Sequence, residues 1–130
     1  MLIQVASIVL RVCGILAVIL GLLFWSGSAL ALIPIHMLLG VLVVLSLWVI
    51  GVGQAFAPGG SWPLAAGVLV YGVLVAALGV RQSGLLPGPY HWVIQLLHLL
   101  VGALAVGIGQ FAAKRYRQGA GGVAASRSGA

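Results

Sequence analysis

The chain contains no aspartate and no glutamate. The absence removes every mechanism that needs a side-chain carboxylate: glycosidase acid/base pairs, EF-hands, carboxylate-held magnesium, Ser-His-Asp triads and carboxylate proton relays. It also leaves each cation without an acidic side chain in its own chain. Cysteine is nearly absent too. The single Cys13 cannot close an internal disulfide, and it lies within an apolar run, so a disulfide scaffold is excluded. Only 5% of the 130 residues are charged, while 63% are hydrophobic. Soluble domains carry about 25% charged residues, and a chain this short has too little interior to hide so much apolar surface. Neither a soluble globular domain nor a disordered chain fits.

What is present is length without interruption. Four apolar runs reach the 18 or so residues that a membrane crossing requires. They cover about residues 2–25, 29–56, 62–80 and 89–113. The breaks between them carry turn chemistry: Ser26-Gly27-Ser28, Ala57 to Ser61, and Gln82 to Pro89. Ser28 and Ser61 are placed to cap the helices that follow. Pro34 falls inside the second run, where a kink is expected. Trp25, Trp62, Tyr90 and Trp92 stand near span ends, as interfacial aromatics do, whereas Trp48 is placed for packing or for lipid. The fold class expected is all-α, an integral membrane four-helix bundle.

The formal net charge is +6, but the cations form no surface patch for nucleic acid. Lys114, Arg115, Arg117 and Arg127 all follow the last span. By the positive-inside rule this places the C-terminus in the cytoplasm, and four spans bring the N-terminus to the same side of an inner membrane. Arg81 alone opposes that orientation. Residues 114–130, rich in Gly, Ala and Ser without apolar periodicity, read as a disordered basic tail. Ala29-Leu30-Ala31 resembles a signal-cleavage pattern, but the first run has no basic n-region and Arg11 interrupts it.

The spans contain an internal repeat. Gly14 to Gly21 in the first span matches Gly72 to Gly79 in the third. His36-Met-Leu-Leu-Gly40 in the second matches His98-Leu-Leu-Val-Gly102 in the fourth. Fifteen residues separate Gly21 from His36 and nineteen separate Gly79 from His98, the difference falling in a longer second loop. The bundle is thus a helical hairpin repeated in tandem, its halves related by an axis along the membrane normal. Spans two and four become parallel neighbours or diagonal partners.

Ionisable groups within a span are costly and face the bundle interior. Counting from the span starts puts His36 and His98 at one depth, about 10–15 Å below the outer end. Two parallel helices with a histidine at one level have the geometry of a bis-histidine haem clamp. Gly40 and Gly102, one turn after each histidine, leave room for a flat macrocycle. Small residues at this spacing also serve ordinary helix packing. His91, one heptad before His98, competes as ligand or as a hydrogen-bond partner at the cofactor edge. Zinc lacks its usual ligand spacing here. Gln54 and Gln110 read as inter-helix hydrogen bonds or interface residues, with a quinone headgroup contact as the alternative, and Tyr71 as a hydrogen-bonding residue within the bundle. Arg11, mid-span, keeps its proton and needs an acceptor, since leaving it unpaired costs at least about 2.5–3.5 kcal/mol. The choices are a lipid phosphate reached by snorkelling, a carboxylate on another subunit, or a haem propionate.

Through His36 and His98, each followed by a glycine four residues on, the chain resembles small four-helix membrane b-type cytochromes: cytochrome b561-like proteins and the haem-carrying anchors of respiratory enzymes. The resemblance spans all four helices but not the tail. It implies one haem b held by His36 and His98. It also implies a carrier of electrons more than a catalyst, with a quinone or redox subunit as partner and with other membrane subunits or further copies beside it. Only one histidine pair is present, so transfer between two haems is not implied. The competing reading is a cofactor-free structural or assembly subunit of a larger membrane complex.

Overall fold

A computed structural model describes residues 1–128, with side-chain surroundings given through residue 121. It is all-helical among those residues. Four helices pack together, α1 (Leu2–Trp25), α2 (Ile33–Ala55), α3 (Trp62–Arg81) and α4 (His91–Ser128), with 3-10 turns over Leu30–Leu32 and Gln82–Gly84. All four are long and apolar enough to cross a bilayer. α1 and α3 start at Leu2 and Trp62, where their apolar runs begin, and α3 follows the turn chemistry of Ala57 to Ser61. Ser61 caps α3, its Oγ accepting from the Leu64 N–H at 3.3 Å.

Three local expectations are corrected. Pro34 does not kink a helix, because α2 begins only at Ile33 and the proline occupies its first turn, where no intrahelical N–H is needed. Ser28 caps no helix. The chain turns there through Ala29 with φ 57° and enters the 3-10 turn instead. The segment after residue 113 continues α4 through Ser128, where a disordered tail is expected. Ala, Lys, Arg and Gln are good helix formers, and extending an existing helix needs no new nucleus. The backbone at Gly119 also comes against the Pro58 carbonyl, leaving no room for a side chain. The last two residues of the expected tail lie outside the described residues.

The packing is a rhombus. α2 and α4 touch along the short diagonal, and each also packs on α1 and on α3, while α1 and α3 do not meet. Of the two arrangements open to spans two and four, the structure takes the diagonal one. Leu10, Leu47, Ile50 and Val68 fill the centre with at most 1% exposure. Leu10 and Val68 are equivalent under the repeat, and both fit against glycine: Leu10 over Gly109, Val68 over Gly51. Outward, the helices present Ile8, Ile15, Val70, Val73, Leu100 and other large apolar side chains, the surface expected of a bundle bathed in lipid.

Polar groups are spent on joining helices. The Trp48 indole donates to the Leu69 carbonyl at 3.1 Å and lies where Gly72 offers no side chain. Tyr71 donates its hydroxyl to the Val101 carbonyl at 2.9 Å, as expected. Gln54, 1% exposed, donates to the Ser61 carbonyl at 2.8 Å and so ties α2 to the start of α3.

Candidate histidine site

The structure brings His36 and His98 together, with ring centroids 6.2 Å apart and planes tilted by 59°. The Nδ1 atoms of both rings are buried and have no hydrogen-bond partner. A buried polar atom left unpaired costs roughly 1–3 kcal/mol, and here two meet at one place.

The shared level arises differently from the residue count. His36 stands in the first turn of α2, whereas His98 stands a heptad into α4. The rings meet because α4 starts further out than α2. The level is also shallower than expected. Gly21 lies against the His36 ring four residues before the end of α1, and Gly79 against the His98 ring two residues before the end of α3. At helical rise the pair is therefore about 3–10 Å below the helix ends.

The repeat reappears in the contacts. A Cβ placed on Gly21 would lie 3.7 Å from His36 Cε1, and one on Gly79 would lie 3.4 Å from His98 Cε1. Each ring thus rests on the glycine of its own hairpin. These glycines belong to the repeated motif, but nothing in the sequence marks them as the floor of the site. Phe24, edge-on to His36 with centroids 5.4 Å apart, was likewise not legible. Its equivalent in the second hairpin is Gln82, so the two sides of the site differ.

The glycines on the histidine faces divide into two kinds. A side chain added at Gly40 or Gly102 would meet nothing within 4 Å, so open space adjoins the turn after each histidine. Gly51 and Gly109, on the same faces further down, are filled by Val68 and Leu10 and belong to packing. His91 does not join the pair. Its Nδ1 lies 3.1 Å from the Leu85 carbonyl, which ties it to the connection before α4.

Arg11 also lies elsewhere. Its Nη2 donates to Gln110 Oε1 at 2.9 Å, an acceptor the count of carboxylates overlooks because an amide oxygen is neutral. Gln110 in turn takes the Ser7 hydroxyl at 3.0 Å and gives its Nε2 hydrogen to the Ser7 carbonyl at 3.0 Å. This buckle joins α1 to α4 ten residues, or about 15 Å, below the level of Gly21. A propionate at the histidine level is not its neighbour.

Two imidazoles on opposite sides of one metal, each bound at about 2 Å, place their ring centroids roughly 6 Å apart. The observed separation fits that arrangement. No group of three or more metal-ligating side chains converges among the described residues. A bare zinc ion, which takes three or four protein ligands, is poorly served. A porphyrin brings four nitrogens of its own and needs only two axial donors, which His36 and His98 can supply. No protein family, curated protein or solved structure matches this chain.

Proposed function

We propose that the protein is a membrane electron carrier that holds one haem b between α2 and α4, with His36 and His98 as axial ligands. The observation that carries the reading is the pair of imidazoles 6.2 Å apart whose buried Nδ1 atoms have no partner. A bound haem supplies a one-electron couple. The chain's own part is to fix that couple. His36 and His98 would hold the group with both of their imidazoles and would leave no site for oxygen, so oxygen chemistry is not expected. The apolar surroundings, Phe24 among them, hold a low dielectric around the site. Gly40 and Gly102 keep side chains out of the space beside the ligands.

The position of the pair near one end of the bundle suits exchange with a partner at that membrane face, a quinone or the redox subunit of a larger complex. The basic residues after α4 support an inner-membrane protein with both termini in the cytoplasm, which places the histidine pair toward the opposite face. Absorption spectroscopy of the purified protein tests the reading. The expected result is a sharp low-spin α-band in the reduced state that is lost or converted to high spin in His36→Ala and in His98→Ala, and is unchanged in His91→Ala. A protein purified from haem-replete cells without a Soret band would refute it and favour a cofactor-free subunit.

A further inference from the structure

The α1/α4 seam carries a second feature that the histidine site does not use. Arg11 is exposed on the lipid-facing surface of α1 and spends one of its five N–H donors on Gln110. Gln110 stands four residues before Lys114 and seven before Arg117, so the three share a face of α4. The Arg11 guanidinium is thereby held about 6 Å, one helical turn, inside the level of Lys114. Lys114 and Arg117 are exposed, and the chain contains no Asp or Glu to answer any of these charges. A second copy brings none either. Toward the bilayer centre the same face of α4 carries Ala103 and Gly107, both exposed, and a side chain added at Gly107 would meet nothing within 4 Å. The seam is cationic from the level of Lys114 to one turn inside it, and α4 carries only small side chains on this face at Ala103 and Gly107.

We infer that this seam is a binding site for one anionic phospholipid, its phosphodiester held by Arg11, Lys114 and Arg117 and an acyl chain laid along Ala103 and Gly107. The guanidinium fork matches phosphate oxygens in a bidentate pair, and Gln110 fixes it in position beforehand. A zwitterionic headgroup carries its own cation toward Lys114 and Arg117 and is disfavoured. The lipid, unlike a soluble phosphate, also covers the apolar face at Ala103 and Gly107.

The test uses the full chain in nanodiscs of phosphatidylcholine with and without phosphatidylglycerol. Lipid retained after gentle detergent release is counted by native mass spectrometry, with helicity checked by circular dichroism. One phosphatidylglycerol is expected to remain in preference to phosphatidylcholine. Each basic residue removed should weaken retention about fivefold, seen in Arg11→Leu and again, more strongly, in Lys114→Ala with Arg117→Ala. The second variant leaves the bundle interior untouched and carries the test if Arg11→Leu fails to fold. Arg81→Ala, at the other end of α3, should retain lipid as the parent does. Glycerol 3-phosphate should not displace the lipid, and displacement by it would overturn the acyl-chain contact at Ala103 and Gly107. Equal retention by Arg11→Leu and the parent would overturn the site, leaving a carboxylate of another polypeptide as the counter-ion.

Discussion

Two glycines of this bundle should answer the same substitution with opposite sign. A Cβ at Gly51 in α2 would lie 2.5 Å from Val68 Cγ1 and 2.9 Å from Val68 Cβ, against a comfortable carbon contact of about 3.5–4.0 Å. Rotating Val68 removes only the first clash, because its Cβ does not move with χ1, and the residue is 1% exposed with no space to yield. α2 and α3 must therefore part by roughly 1 Å locally. Overpacking of this kind costs about 1–3 kcal/mol, partly offset by the roughly 0.8–1.0 kcal/mol gained when alanine replaces glycine in a helix. A side chain at Gly67, in α3, would meet nothing within 4 Å. Gly67→Ala should keep only the gain. The helix term is common to both variants, so the difference between them isolates the overpacking cost. Unfolding in mixed micelles titrated with dodecyl sulfate, followed by circular dichroism, measures it. Val68→Ala should restore part of what Gly51→Ala loses, giving a favourable coupling of about 0.5–3 kcal/mol in a double-mutant cycle. If Gly51→Ala and Gly67→Ala shift the midpoint alike, the close approach of α2 to α3 is not as described.

Four further outcomes are expected. Gly40→Leu and Gly102→Leu should block haem binding while leaving helicity intact, read from the Soret absorbance per protein after reconstitution. Gln110→Leu removes the acceptor of both Ser7 and Arg11 and the bond back to the Ser7 carbonyl; at roughly 0.6 kcal/mol for an average inter-helix hydrogen bond in a membrane, it should destabilise the bundle by about 2 kcal/mol in the same micelle titration. Arg11→Leu should lower the redox midpoint potential of the loaded protein by no more than about 50 mV, the Coulomb effect of one charge about 15 Å from the histidine level at an effective dielectric of about 20; a clearly larger fall would restore a propionate partner. Reporter fusions at Gln118 and in the Pro58–Ser61 loop should both read as cytoplasmic, and a periplasmic signal at either would reverse the orientation.

The spans were legible because a membrane helix is written locally: length, apolarity and turn residues at each end. Pairing between distant residues is not written that way. Arg11 and Gln110 are separated by 99 positions, and a neutral amide satisfies the same donor as a carboxylate without carrying a charge that would mark it. The place of Pro34 is hidden for a related reason. Apolar content runs on through Ala29 to Leu32, but the backbone there turns with a positive φ, which composition does not reveal. The histidine pair is legible through the repeat, which aligns two helices whose starts are staggered. Its floor of Gly21 and Gly79 is not, because a glycine that faces a ring and a glycine that faces a neighbouring helix look alike in a sequence.

The missing contact between α1 and α3 has a consequence for assembly. The two hairpins meet along α2–α4, α2–α3 and α1–α4, and across the α2–α4 diagonal each contributes one imidazole to the axis between them. A hairpin alone holds half a site and cannot grip any ligand from two sides. Joining the halves and completing the site are therefore one event, and a two-sided ligand binds only the joined form. Such a ligand acts as a clasp, raising the work needed to part the hairpins by its own binding free energy. Loss of the ligand and separation of the halves become linked, so the protein's lifetime in the bilayer would record whether the site is filled.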